Sequence, residues 1–186
     1  PLHWAIAASS GDCILRHARG SNAAADDFQP LEESFGPGTG DHLESYGGRS
    51  SNTNTLPFFN LQTGDHGLIG AIGWTGDWKA DFSYGKDGKT ILMTSGMKKT
   101  HLLLHPGEEI RTPRIVLMRW IGGDWQDSQN NWRRLLFAHY SPQANGTAMP
   151  GPILFGSWGS EPIADKLAYI QWIHENKIPV GVDAVD

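Results

Sequence analysis

The hydrophobic pattern changes period near residue 122, and no single sheet or bundle satisfies both halves. Before that point, apolar residues come in short or alternating runs separated by clusters of Gly, Asp, Asn and Ser. A period of two puts successive side chains on opposite faces of a strand, so this half suits half-buried antiparallel strands. Beyond it, Trp132, Leu135, Leu136 and His139 recur at helical spacing, and the last stretch reads β-α-β.

In the first half, His3 to Ala8 and Asp12 to Arg19 read as a hairpin around Ser9-Ser10-Gly11. Leu68 to Trp74 and Trp78 to Tyr84 flank the short loop Thr75-Gly76-Asp77, and Lys86-Asp87-Gly88-Lys89 is a tight-turn signal. Thr90 to Thr94, Lys98 to His105 and Ile110 to Trp120 continue the rhythm, which predicts an antiparallel sandwich or barrel. Residues 20 to 55 are rich in small polar residues and read as a long surface excursion.

The helical segment spans about residues 124 to 140, with Asp124, Asp127 and Ser128 as candidate caps and Pro142 as its end. Ile153 to Phe155 then forms a compact strand, and Ser160 with Pro162 opens a second helix. Its expected buried stripe is Ile163, Leu167, Ile170 and His174 or Ile173, and Lys177 closes it. Val180 to Asp186 is the second strand. Two strands joined by one helix are parallel, and such a pair cannot bury both faces alone. The tail therefore predicts the opening of a larger α/β domain.

Charge and chemistry exclude several classes. A net charge of -5 without a basic run argues against a nucleic-acid partner. Apolar runs such as Ile115 to Met118 are too short for a bilayer. The single cysteine, Cys13, allows no internal disulfide and reads as a buried structural thiol. The histidines show no ligand spacing; His101 and His105 would need a helix where the pattern reads as strand, so no metal is expected. No Gly-rich loop opens a helix, so no nucleotide cofactor is expected either. The chain starts at Pro1, which suits a processed or excerpted form and leaves its compartment open. The single sequon, Asn145-Gly146-Thr147, carries little weight. Trp is abundant, with 8 copies, and sugar C–H faces pack well on aromatic rings, although core packing explains most Trp residues.

Three segments resemble the melibiase-type α-galactosidases of glycoside hydrolase family 36. They are Gly47-Gly48-Arg49-Ser50-Ser51-Asn52 followed by Pro57-Phe58-Phe59-Asn60-Leu61; Ala71-Ile72-Gly73-Trp74-Thr75-Gly76-Asp77-Trp78 with Leu104-His105-Pro106-Gly107-Glu108-Glu109-Ile110-Arg111-Thr112-Pro113; and Asn131-Trp132-Arg133-Arg134, His139-Tyr140-Ser141-Pro142 and Gly156-Ser157-Trp158. The resemblance implies an N-terminal antiparallel β-sandwich (1–122), a connecting helix and linker (123–149), and the first β-α-β of a (β/α)8 TIM barrel (150–186). It implies a retaining hydrolase of terminal α-galactosides whose two catalytic aspartates sit on later barrel strands, so this chain carries no catalytic residue. The residues it marks for substrate binding are Asp186, with Asp183 as competitor, together with Trp158 and Arg49. Relatives often show two adjacent aspartates, whereas Ala184-Val185 separates the pair here, so the choice stays open. Glu108 and Glu109 read as turn residues rather than catalytic carboxylates. An α-galactoside oligosaccharide is the implied partner, with self-association through the sandwich and no cofactor. Two alternatives stay open: a non-catalytic carbohydrate-binding sandwich module, and a galactosyltransferase of the same superfamily.

Overall fold

A computed structural model describes residues 1–9, 11–144, 146–149, 154–155, 162–179 and 181–182. The chain divides into two compact units, Pro1–Leu135 and Leu136–Asp186.

The first unit is built from nine strands: β1 (Leu2–Ala7), β2 (Cys13–Ala18), β3 (Pro30–Phe35), β4 (Gly40–Glu44), β5 (Phe58–Thr63), β6 (His66–Gly73), β7 (Trp78–Tyr84), β8 (Thr90–Met97) and β9 (Arg114–Ile121). They form two antiparallel sheets, ordered β1-β8-β7-β4 and β3-β2-β5-β6-β9. Alternation decides which side faces inward. On β7, Trp78, Ala80, Phe82 and Tyr84 are buried, while Lys79, Asp81 and Ser83 face outward. From the other sheet, Cys13, Leu15, Phe59, Leu61, Leu68 and Ile72 complete the same core. Phe59 meets Phe82 edge-on across the gap, with ring centroids 5.1 Å apart. Each such side chain contributes on the order of 1.5–3 kcal/mol by leaving water.

The first two strands do not form the expected hairpin. β1 pairs with β8, and β2 pairs with β3 and β5 in the other sheet. The intervening segment is a stitch between sheets, held where the Tyr84 hydroxyl donates to the carbonyls of Ser9 (2.8 Å) and Gly11 (3.1 Å). Thr75-Gly76-Asp77 is likewise a crossover, from β6 to β7 in the opposite sheet. Two further expectations fail. Residues 20–55 include β3 and β4, where one core-facing residue per strand, Phe35 or Leu43, is enough at an edge. Residues 99–112 form no strand and stay exposed throughout. Leu102-Leu103-Leu104 is apolar without alternation and offers no single face, and Pro106 lacks the N–H that a ladder needs.

Strand β2 carries two titratable groups on its inward face. Cys13 is fully buried with its thiol donating to Phe35 O (3.1 Å), and burial pushes its pKa up to about 12. His17 lies on the inward face of β2, and its Nδ1 is buried without a partner. Burial lowers the His17 pKa, more strongly than Asp41 and Glu33 raise it.

After β9 the chain enters helix α1 (Trp125–His139), capped by Asp124, whose Oδ1 accepts from Gln126 N at 3.2 Å. The first turns of α1 dock on the outer face of the five-stranded sheet through a closed polar chain. Trp120 Nε1 donates to Asn60 Oδ1 (3.0 Å), Asn60 Nδ2 donates to Ser128 Oγ (3.0 Å), and Ser128 Oγ donates to Trp125 O (2.6 Å). Beside it, the Arg16 guanidinium stacks 4.6 Å from the Trp125 ring centre while donating to Gln62 Oε1 at 2.6 Å. Arg16 Nε also lies 2.8 Å from Glu32 Oε2, but off-line, so that contact is an ion pair rather than an aligned hydrogen bond. Trp132 is buried and Leu135 partly so, whereas His139, expected on the same stripe, is exposed.

The second unit contains the end of α1, a small hairpin β10 (Gln143–Ala144) and β11 (Thr147–Ala148), strand β12 (Leu154–Phe155), helix α2 (Ile163–Glu175) and strand β13 (Gly181–Val182). As the β-α-β pattern requires, β12 and β13 pair in parallel. The α2 stripe differs from expectation. Lys166, Ile170 and Ile173 face inward, while Ile163 (73% exposed), Leu167 (60%) and His174 face solvent. The inward set has the same i, i+4, i+7 spacing, and the aliphatic stem of Lys166 serves as its apolar first member. Among the described residues, no helix is long and apolar enough to cross a membrane.

Asn60→Ala should destabilise the first unit by about 1–3 kcal/mol, because it leaves the buried Trp120 N–H unpaired. Adding Trp120→Phe should cost less than the sum of the single changes, as measured by urea unfolding. A second prediction concerns pH. The folded state holds His17 neutral below the ordinary value of 6.5. Its contribution is therefore present above pH 6.5 and is lost as the pH falls through the lower folded value. Between neutral pH and about pH 5, the unfolding midpoint of His17→Gln should fall less than that of the parent chain.

Candidate functional site

Of the residues that the sequence marks for sugar binding, Arg49 is the one whose surroundings are described; Trp158, Asp183 and Asp186 lie outside the described residues. Arg49 sits in the loop that leaves β4. Just before it, Gly47 and Gly48 adopt φ +76° and +72°. Two consecutive left-handed residues cost a non-glycine roughly 1–2 kcal/mol each. A Cβ on either would meet nothing within 4 Å, so backbone conformation, not space, demands glycine here.

The loop is strapped to the β6–β7 crossover. Gly48 N–H donates to Asp77 Oδ1 at 2.7 Å. The indole N–H of Trp78 donates to Ser50 O at 2.7 Å, its backbone N–H donates to Ser45 Oγ at 2.9 Å, and Ser45 N–H donates to Trp78 O at 3.0 Å. Trp78 is fully buried and Trp74 half-buried, so the two tryptophans that flank the crossover take different roles. Downstream, Asn52 Oδ1 accepts from the backbone of Asn54 (2.8 Å) and Thr55 (3.3 Å), which closes the loop. Gly20 allows that turn to approach, since a Cβ there would sit 1.9 Å from Asn52 O. Among the described residues, no hydrogen bond or ion pair uses the exposed Arg49 guanidinium.

At the base of the same loop, His42 lies between Asp81 (Nδ1 to Oδ1, 2.7 Å) and Glu44 (Nε2 to Oε2, 3.2 Å). Lys79 pairs with Asp81 at 3.0 Å, and Lys98 with Glu44 at 2.9 Å. The Lys98 hydrogen bond holds the Glu44 pKa below the usual carboxylate value. For Asp81, burial pushes upward, but the hydrogen bonds from Lys79 and His42 outweigh it and the net shift is down. Apart from Lys98 at 26%, these groups are about two-fifths exposed, where pairs of this kind contribute about 0–1 kcal/mol.

Other carboxylates and hollows are less suited to chemistry. Glu108 closes its own exposed turn, its Oε2 accepting from His105 N at 2.8 Å and its N–H donating to His105 O at 3.0 Å. A shallow depression of about 590 Å³ lies between the β3–β4 and β7–β8 turns, lined by Thr39, Gly40, Ser83, Lys86 and Leu92. Lys86 is its one charged lining residue, so it holds no acid–base pair. Among the described residues, no three His, Cys, Asp or Glu side chains converge as metal ligands.

Sequence reasoning found Arg49 but missed the roles of Asp77 and Ser45. Both border strand ends and Asp77 lies in a family-like segment, but their partners are remote backbone groups that the local sequence does not announce.

No family model matches the chain, and no curated protein matches it. Solved structures do. The GH36 α-galactosidase AgaA from Geobacillus stearothermophilus superimposes with a TM-score of 0.60 at 21% identity, covering 83% of this chain and 22% of that one. A variant of AgaA in complex with raffinose gives 0.62 with the same identity and coverage. The α-galactosidase from Lactobacillus brevis gives 0.64 at 17% identity, covering 95% of this chain and 24% of that one. The chain therefore has the fold of a portion of GH36 α-galactosidases, amounting to 22–24% of their length.

Proposed function

We propose that this chain is the sandwich, connecting helix and barrel opening of a retaining α-galactosidase, dividing at 1–122, 123–149 and 150–186. The observation that carries the reading is the fold match across 83–95% of the chain to α-galactosidases, at sequence identities too low for chance motif sharing to explain it. The order of the family-like segments supports it independently. The parallel pairing of β12 with β13 supports an α/β continuation and weighs against a stand-alone binding module, which has no need of such a pair.

In this reading the chain supplies binding and scaffold. The strand-end aspartate, Asp186 or Asp183, accepts hydrogen bonds from adjacent galactose hydroxyls, which a carboxylate with two oxygens can do at once. Trp158 walls the pocket, and Arg49 is a further substrate-binding residue. The nucleophile and the acid/base belong to later barrel strands. One AgaA variant is seen with raffinose, an oligosaccharide of the substrate class proposed here. Association of copies through the sandwich belongs to the same proposal.

The chain alone should leave an aryl α-galactoside uncleaved, and the same chain continued past Asp186 through a complete barrel should release galactose with retained anomeric configuration. A complete protein inert on α-galactosides but active on another glycoside sinks the substrate assignment. In the active form, Asp186→Ala should reduce kcat/KM by at least about 100-fold if Asp186 is the binding carboxylate, with Asp183→Ala much milder. The reverse order assigns the role to Asp183.

A further inference from the structure

A row of charged side chains crosses the outer face of the four-stranded sheet. In order of contact it runs Lys98, Glu44, His42, Asp81, Lys79, joined at 2.9, 3.2, 2.7 and 3.0 Å. Lys98 follows the end of β8, Glu44 and His42 lie on β4, and Asp81 and Lys79 lie on β7. The signs alternate along the whole row only when the central imidazole is positive. The strand it crosses is weakly held. β4 is an edge strand, bonded to its sheet through β7 alone. Its last residue is Glu44, and the next, Ser45, donates its N–H to Trp78 O at 3.0 Å where the loop begins.

Donor counting at His42 points the same way. An ionised carboxylate accepts hydrogen bonds and donates none. His42 meets one on each side, Asp81 at Nδ1 and Glu44 at Nε2. A neutral imidazole has a single N–H, so it serves one carboxylate and turns a lone pair to the other. The imidazolium serves both. Glu44 titrates below the ordinary carboxylate range through its bond from Lys98. Asp81 does so because the bonds from Lys79 and His42 outweigh burial. Both are therefore ionised where a histidine gains its proton. Three further titratable groups face this part of the sheet. Asp41 accepts from the His42 backbone N–H at 2.6 Å. His3 on β1 meets Thr94 Oγ1 at 3.2 Å, and Thr94 stands opposite Asp81. His17 of the other sheet lies within electrostatic reach of Asp41.

We infer that His42 is a proton-operated clamp on the edge strand β4. The imidazolium closes the row that joins β4 to β7 and to the end of β8, which steadies the strand from which the 45–55 loop departs. Loss of one proton leaves the Asp81 bond and frees the Glu44 arm. Contacts this exposed limit the effect to about two- to fivefold in local opening. The clamp tightens as the pH falls, whereas the His17 contribution is lost in the same direction, so the two are separable by sign.

The test is amide hydrogen exchange followed by NMR on the whole 186-residue chain, in the parent and in His17→Gln. Rates are divided by the intrinsic chemical rate at each pH, so that only local opening is read. From about pH 8 to about pH 5.5, protection of the Ser45 amide in His17→Gln should rise about two- to fivefold. The rise should share its midpoint with the ring-proton shifts of His42. The Ile72 amide, bonded to Pro57 O in the other sheet, should stay constant. Adding His42→Gln should remove the rise. Glu44→Gln leaves the imidazole and its Asp81 bond in place and should remove most of it. At about 1 M salt the rise should shrink, because exposed charges are screened. A flat Ser45 profile, a rise that survives His42→Gln, a midpoint that follows His3 instead of His42, or an equal rise at Ile72 overturns the inference.

Discussion

Trp78 satisfies two demands that usually conflict. Its ring fills the space between the sheets with no solvent exposure, and its indole N–H must still find an acceptor. The acceptor is Ser50 O, part of the loop that leaves the neighbouring strand β4 at the same end of the sheet. Burial of the ring and placement of the loop are thus one event. If the loop moved away, a buried donor would be stranded at a cost of about 1–3 kcal/mol. Ser45 adds a two-way bond to the same backbone, and Asp77 adds the Gly48 contact. Everything exposed on the loop, Arg49 included, inherits its position from the core.

The same economy operates where the chain changes sheet. A two-sheet sandwich needs crossovers, and each leaves backbone groups without a ladder partner. At the first crossover the Tyr84 hydroxyl bonds the carbonyls of Ser9 and Gly11 from inside the core. Where the chain leaves the sandwich, Asn60 joins Trp120 to Ser128 and fastens the first turns of α1 to the outer sheet face. In each place a polar atom on a largely buried side chain meets a need created by topology. Such pairs span 60 to 75 positions in sequence, so the fold creates them and the local pattern does not announce them.

That separation explains what was legible. Strand identity was readable in the alternating or short apolar runs of β6 to β9, because the period itself encodes which face is buried, whereas β5 was quoted as a family-like segment and not read as a strand. Sheet membership was not. A short Gly-containing loop serves a hairpin and a sheet-to-sheet crossover equally, so Ser9 to Gly11 read as a hairpin turn. β3 and β4 were hidden because an edge strand needs only one core residue, and Phe35 or Leu43 amid polar neighbours resembles a loop. Leu102 to Leu104 erred the other way, since hydrophobicity without period looked like a strand. On α2, two i, i+4 stripes competed, and treating Lys166 as a solvent residue favoured the wrong one. The candidate site was legible only as a motif. Gly47-Gly48-Arg49 marked the loop and Asp77 lay in a second family-like segment, but neither Asp77 nor Ser45 carries a local sign of its remote backbone partner.

The fold match has a corresponding physical meaning. At 17–21% identity, most aligned residues differ from those of the matched α-galactosidases, yet the backbone course is shared. Cores tolerate exchange of one apolar residue for another when volume and pattern are kept. What does not exchange freely is a residue required by backbone conformation or by a buried polar partner. In this chain the Gly47-Gly48 pair and the Trp78–Ser50 bond are of that kind. They lie within the very segments that resemble the family in sequence. Backbone and buried-donor constraints favour such residues even without chemistry, so the motif alone argues for the loop's shape. Its use depends on what the loop presents. Here that is the exposed Arg49 guanidinium, which no hydrogen bond or ion pair uses among the described residues.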